Sequence, residues 1–293
     1  MSANNRRALL LGLSAVLLWS TVATAFKLAL AELSVLQLLT VAICTSTVAL
    51  VGTLVVRGRA GELLLTLRQQ PGRYLLMGAI NPTLYYGVLL AAYDLLPAQQ
   101  AQTINYSWAI MLALLSVPVL GQRLALRDWL AIAVGYLGVV IIATRGDPLG
   151  MEMVSPLGVA LALGCTVIWA MFWLLNTRST TAPDLALAAN FLCAIPIALL
   201  VCLVMGEPLP TPGTGLAAAV YVGFFEMGFT WLLWASALRA ATNVSRVGNL
   251  IFLSPMLSLV FIATILHEPI HPATIVGLAL ILPGILQQQR GGT

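Results

Sequence analysis

Ten stretches long and apolar enough to cross a bilayer follow one another from Ala8 to Gln287, and nearly every arginine falls in alternate gaps between them. A bilayer core takes roughly 20 mostly apolar residues per helix. By that criterion the runs lie at about 8–31, 34–56, 74–95, 98–119, 128–144, 156–177, 184–205, 215–238, 244–266 and 272–287. Backbone polar groups in lipid have to be satisfied within the segment itself. Such a chain is expected to fold as an all-α polytopic membrane protein with ten transmembrane helices.

Arginine fixes the expected orientation. With a cytoplasmic N-terminus, the inner side receives Arg6, Arg7, Arg57, Arg59, Arg68, Arg73, Arg123, Arg127, Arg178, Arg239, Arg246 and Arg290, and only Lys27 and Arg145 fall outside. Lys and Arg accumulate on the cytoplasmic side of membrane proteins. An odd number of spans would put Arg290 on the wrong side, so both termini are expected in the cytoplasm and the protein in the inner membrane. Arg6 and Arg7, an apolar stretch and then Ala23-Thr24-Ala25 imitate an export signal. Yet the apolar run continues beyond them, and cleavage would break the charge pattern, so the first helix is expected to stay.

Composition excludes several classes. With 60% hydrophobic and 8% charged residues, the chain is far from a soluble domain, and its net charge of +4 orients helices rather than binding nucleic acid. Gaps between runs are too short for an ATPase domain, and no glycine-rich phosphate loop occurs. Neither an enzyme nor a cofactor is expected, and any work has to come from solute or ion gradients. Cys44, Cys165, Cys193 and Cys202 lie within apolar runs without paired spacing and read as packing residues.

The two halves echo one another. GLSAVLLWSTVATAFK around Trp19 matches LALGCTVIWAMFWLLN around Trp169, and residues 120–141 align with 266–286, placing Gly138 opposite Gly284. Residues 1–147 and 148–293 therefore read as two five-helix repeats of one integrated membrane domain. Because five is odd, the second repeat enters from the opposite face, an inverted arrangement that recurs among transporters with midplane sites.

An early mid-helix Trp in each half, an A-x-x-L step before the fourth helix, and a polar turn leading into a Gly-rich fifth helix resemble the EamA family of the drug/metabolite transporter superfamily. N-Y-S-W at 105–108, with Tyr85 and Trp169, is similar to its aromatic amino-acid exporter branch. The resemblance implies ten helices, a central cavity formed by both halves, and export of amino acids or related metabolites by alternating access. The family's acidic residue at the fourth-to-fifth turn survives as Glu268 but is Gln122 in the first half, a departure from the pattern.

Glu226, in VGFFEMGFTW, is the acidic residue expected near the bilayer centre. A charge there costs about 2.5–3.5 kcal/mol on insertion scales, so it should face a cavity or a partner. It could bind a substrate amino group, cycle a proton, or sit protonated against a neighbouring helix. Trp19, Tyr85, Tyr86, Tyr106, Trp108, Trp169 and Trp173 lie at similar depth, where rings stack on a ligand or pack between helices. Trp129, Trp234 and Tyr74 are expected in the interfacial belt. Of the mid-span amides Asn81, Asn105, Asn176, Asn190 and Asn249, and Ser254 with them, Asn81 and Asn249 are preferred as ligand contacts because each lies near a proline or a presumed seam. The candidate substrate-binding set is Trp19, Asn81, Tyr85, Tyr106, Trp108, Trp169, Glu226 and Asn249.

Pro82, Pro196, Pro255 and Pro283 are expected to interrupt their helices, with Pro82 and Pro255 bending during gating. Ala131 with Gly135 and Ala160 with Gly164 permit close helix contact, within a monomer or between two, so the oligomeric state stays open. His267-Glu268-Pro269-Ile270-His271 imitates a zinc-protease string, but Pro269 lies inside it and no third His exists, so no metal site is expected. The N-x-S strings at Asn105 and Asn243 fall in membrane or on the cytoplasmic side, where glycosylation is not expected. The sequence reads as an exporter of aromatic and other neutral amino acids embedded in the lipid bilayer, with proton coupling undecided. A multidrug or cationic-metabolite exporter is the alternative.

Overall fold

A computed structural model describes residues 3–147, 153–176, 179–241 and 247–291, with side chains from Arg6 to Pro283 within those bounds. Arg178, Arg246 and the Asn243 string lie outside the described residues, as does the side chain of Arg290. Every regular element among the described residues is helical. Eight helices are long and apolar enough to cross a membrane: α1 (Arg6–Leu30), α2 (Val35–Val56), α4 (Pro71–Leu95), α5 (Ala98–Leu120), α6 (Leu126–Ala143), α7 (Pro156–Asn176), α8 (Pro183–Met205) and α9 (Thr214–Ala240). The apolar helices α10 (Asn249–Ile265) and α11 (Pro272–Gly291) are shorter in their apolar extent. A short helix, α3 (Ala60–Gln69), fills the gap before α4, where the sequence announced no apolar run.

Local chemistry sets the ends. Ser34 opens α2 with a capping box: its hydroxyl accepts from the Gln37 N–H at 3.1 Å, and its own N–H donates to Gln37 Oε1 at 3.0 Å. Gly121 and Gly206 close α5 and α8 in the left-handed region, φ 69° and 67°, where a side chain would be strained. Leucines and valines such as Leu199, Leu203 and Val204 remain exposed on the outward face, as lipid-facing residues do.

The chain forms two compact units, Met1–Gly87 with Thr180–Phe261, and Val88–Ser179 with Ile262–Thr293. Neither coincides with a sequence half; each takes helices from both.

In the first unit α2 and α8 run against each other, the middle of α9 lies on α2, and the middle of α4 lies on α8. One device makes both of the latter contacts. A Cβ on Gly223 of α9 would stand 2.5 Å from the Ala42 carbonyl of α2, and a Cβ on Gly78 of α4 would stand 2.5 Å from the Asn190 carbonyl of α8. Helices in lipid associate through such close backbone approach, because burying apolar surface from lipid tails gains little. The third membrane-spanning helix of each sequence half thus presses a glycine onto the second spanning helix of the other half. α1 packs along the C-terminal part of α9.

In the second unit α7 packs on α5 and α6 on α11. Gly138 and Gly277 meet reciprocally: a Cβ on either would lie 2.6 Å from the other's carbonyl oxygen. Gly135 is filled by Ile110 of α5, so that small residue packs within the chain, whereas Gly164 has open space around it.

The HEPIH turn belongs to the same unit and is a clamp. Glu268 Oε2 accepts from the Ala98 N–H at 3.0 Å, and Oε1 accepts from Gln99 Nε2 at 2.8 Å, at the N-terminus of α5. Gln99 Oε1 in turn accepts from the His271 N–H and the Thr274 hydroxyl, both at 2.8 Å. His271 Nδ1 accepts from the Ala273 N–H, and no cluster of metal-ligating side chains occurs among the described residues. Replacing Glu268 with Ala removes a charged acceptor from helix-terminal N–H groups. It is expected to cost about 2 kcal/mol, read as a lowered detergent-solubilised melting temperature, with Glu268→Gln in between.

Candidate functional site

Four helices are broken within their length, and a fifth, α10, is irregular at its start. α1 is interrupted at Thr21, where Ser20 and Thr21 turn their hydroxyls back onto the carbonyls of Leu17 and Leu18 at 2.6 and 2.7 Å and loosen the turn. α4 opens into a π segment, Ala79–Leu84, with Asn81 extended at φ −145°, ψ 115° ahead of Pro82. α5 breaks at Tyr106–Ser107. α9 carries a second π segment, Val222–Phe229. α10 begins as a 3-10 turn, Asn249–Phe252, just before Pro255. π segments occur frequently at functional sites, and non-helical backbone at membrane depth is tolerated only inside protein or beside a water-filled cavity.

Prolines foretold part of this. α8 runs unbroken through Pro196, which is exposed. α11 likewise continues through Pro283. The breaks in α1, α5 and α9 contain no proline at all.

Seven of the eight candidate residues lie in or beside these breaks. In the first unit, Glu226 sits in the π segment of α9, partly buried, and its Oε1 accepts the Tyr86 hydroxyl proton at 3.1 Å. The Trp231 side chain bonds to the same tyrosine. Trp231 meets Trp19 edge-on with centroids 5.2 Å apart, and Trp234 lies 5.5 Å from Trp19. Tyr85 stands edge-on to Tyr86 at 4.8 Å. Glu226, Tyr86, Trp231, Trp19 and Trp234 therefore form one connected set. Thr21, at the α1 break, is hydrogen-bonded to the Tyr221 hydroxyl at 2.7 Å. Asn81 is buried in the α4 break, while Asn249 is exposed on its 3-10 turn.

In the second unit, Tyr106 and Trp108 flank the α5 break, and Trp108 packs edge-on to Trp169 at 6.3 Å. Trp169 sits on the unbroken α7 and stacks on Phe172 at 5.8 Å. Trp173, also on α7, is exposed.

Several buried oxygens without a hydrogen-bond partner among the described residues lie at these breaks, while others, such as Ser46 Oγ and Asn190 Oδ1, lie on unbroken helices. Those at the breaks include Asn81 Oδ1 and Thr83 Oγ1 in α4, Ser107 Oγ in α5, Thr230 Oγ1 in α9 and Ser254 Oγ in α10. Buried polar groups are nearly always paired, so these positions have hydrogen-bonding capacity to offer a ligand.

Tyr86 and Trp231 complete the Glu226 set, and Trp231 escaped the sequence reading for a geometric reason. At 3.6 residues per turn, positions five apart lie about 140° apart around a helix. A π segment repeats at i to i+5 and turns Glu226 and Trp231 towards one face. Of the three residues expected in the interfacial belt, Trp129 is exposed, Trp234 packs on Trp19, and Tyr74 is fully buried with its hydroxyl 2.9 Å from Thr181 Oγ1.

A protein of known crystal structure resembles this fold with a TM-score of 0.67 at 22% identity, over 98% of this chain and 99% of that one. The aromatic amino acid exporter YddG of Ancylobacter novellus is 26% identical over 94% of this chain and 95% of its own length. The uncharacterized transporter YvbV of Bacillus subtilis is 27% identical over 72% of this chain and 70% of its own. The profile of the EamA-like transporter family matches twice, at residues 6–144 and 156–287, one match for each repeated half. With both halves matched and an all-helical, apolar architecture, the chain belongs to the EamA-like transporter family and is a multi-pass membrane transporter, not an enzyme.

Proposed function

We propose that this transporter exports aromatic and other neutral amino acids across the inner membrane by alternating access, with ten spans in two inverted five-helix repeats, 1–147 and 148–293, and both termini in the cytoplasm. The observation that carries the reading is the coincidence, within the first unit, of helix breaks, aromatic side chains and the Glu226 carboxylate. In the proposal Glu226 Oε2 receives the substrate's ammonium group, since Oε1 is held by Tyr86. Trp19, Tyr85 and Asn81 are proposed to offer ring faces and an amide oxygen in the same unit, and Tyr106, Trp108 and Trp169, in the second unit, are proposed substrate contacts in their own right. Asn249 contributes from its exposed turn. The relative YddG is named an aromatic amino acid exporter, and its coverage of nearly the whole chain supports the same substrate class here.

A cationic metabolite or drug is the second reading, favoured by the three tryptophans linked through Tyr86 to a carboxylate, an arrangement that also suits an organic cation. Counterflow of labelled phenylalanine and threonine into proteoliposomes, with tetraphenylphosphonium as competitor and with or without a pH gradient, tests both. Uptake of both amino acids, unaffected by the cation, is the expected outcome. No amino-acid uptake, with labelled cation accumulating instead, would overturn it. Stimulation by the pH gradient would add a proton to the cycle.

A further inference from the structure

α3 is too short to cross a membrane: its 10 residues extend about 15 Å. It sits on α8, beside α2 and the start of α4. Leu63 is its anchor, 5% exposed, while Leu64 and Leu65 point away from the protein at 50% and 56% exposure. Arg68 follows Leu64 and Leu65 by four and three residues and shares their face. Leu75 and Leu76, also half exposed, and Arg73 begin the next helix.

Charges around α3 are divided. Arg59 is committed within the protein, bonding Glu62 at 2.9 Å and also Asp184 at the start of α8. That fork holds the Glu62 carboxyl below the usual carboxylate range. Arg68 and Arg73 make no ion pair among the described residues. Apolar side chains beside uncommitted arginines, on a helix lying at the end of membrane spans, match the layered chemistry of a bilayer surface, where acyl chains meet phosphate.

We propose that α3 is an interfacial helix that inserts Leu64 and Leu65 into the acyl boundary and binds anionic phospholipid headgroups through Arg68 and Arg73. The leaflet is the cytoplasmic one if the orientation above holds; the lipid contact does not depend on it.

The test uses full-length protein, with its four native cysteines replaced by alanine, in vesicles of phosphatidylcholine with about one third phosphatidylglycerol. A nitroxide label at Leu65→Cys is expected to collide readily with oxygen and poorly with the water-soluble nickel complex NiEDDA, the reverse of a label at Arg123→Cys in the exposed 121–125 segment. Native mass spectrometry of the wild-type chain is expected to retain phosphatidylglycerol over phosphatidylcholine. Arg68→Gln with Arg73→Gln should reduce that preference roughly fivefold per arginine, without loss of monodispersity. Nickel accessibility at position 65 equal to the control would overturn insertion. Shielding from both reagents would mean that protein covers the face, and an unchanged lipid preference in the double variant would overturn the headgroup role.

Discussion

Glu226→Gln is expected to lower amino-acid counterflow by roughly 10- to 100-fold while leaving the protein folded. The substitution keeps shape and hydrogen-bonding capacity but removes the charge, and a hydrogen bond to a charged partner is worth about 1.5–3 kcal/mol. Lost from the ligand's ammonium group, that free energy corresponds to the stated range. Tyr86 would still reach the amide oxygen, so packing is preserved. Tyr86→Phe should act in the same direction but several-fold at most, since it removes one neutral donor and leaves the carboxylate in place. Equal transport by wild type and Glu226→Gln, at matched reconstitution, would reduce Glu226 to a packing residue and remove the main support for the proposed ligand geometry.

The second large effect is on stability and has opposite signs at two glycines. Gly223→Ala is expected to destabilise the protein by about 1–3 kcal/mol, because the added Cβ would meet the Ala42 carbonyl at 2.5 Å, backbone that cannot turn aside. Gly223→Val should cost more. Gly164→Ala, in the middle of α7 with open space around it, is expected to gain up to about 0.5–1 kcal/mol, because alanine restricts the chain less unfavourably than glycine in a helix. Thermal unfolding in one detergent, followed by tryptophan fluorescence, measures both. A neutral Gly223→Ala would mean that α9 and α2 separate easily, contrary to the contact described. A destabilising Gly164→Ala would point to a neighbour at that face.

The membrane spans were legible because lipid leaves a chain few solutions: about twenty apolar residues in a row have to be helical. α3 was missed for the complementary reason, since Arg57, Arg59, Glu62 and Arg68 break the apolar run that would have announced it. The break at Asn81 could be foreseen from Pro82. The one at Thr21 rests on hydroxyls that turn back on their own helix, and the π segment of α9 contains two glycines, Gly223 and Gly228, set against α2. Glu226 stood out as a carboxylate at membrane depth, and the aromatics stood out by number. That Trp231 joins them, that Trp234 packs on Trp19 and Tyr74 bonds Thr181, and that Glu268 caps α5 depended on contacts between residues far apart in the chain.

What the sequence determined by itself is the class of the protein: an all-helical transporter with two related halves. Hydropathy and charge act over whole helices, and their sum survives uncertainty at any one position. What the tertiary structure decided is which polar groups meet. Those meetings turn on a few ångströms and on the rotation of a broken helix, and both are set by the neighbouring helix rather than by the local residues.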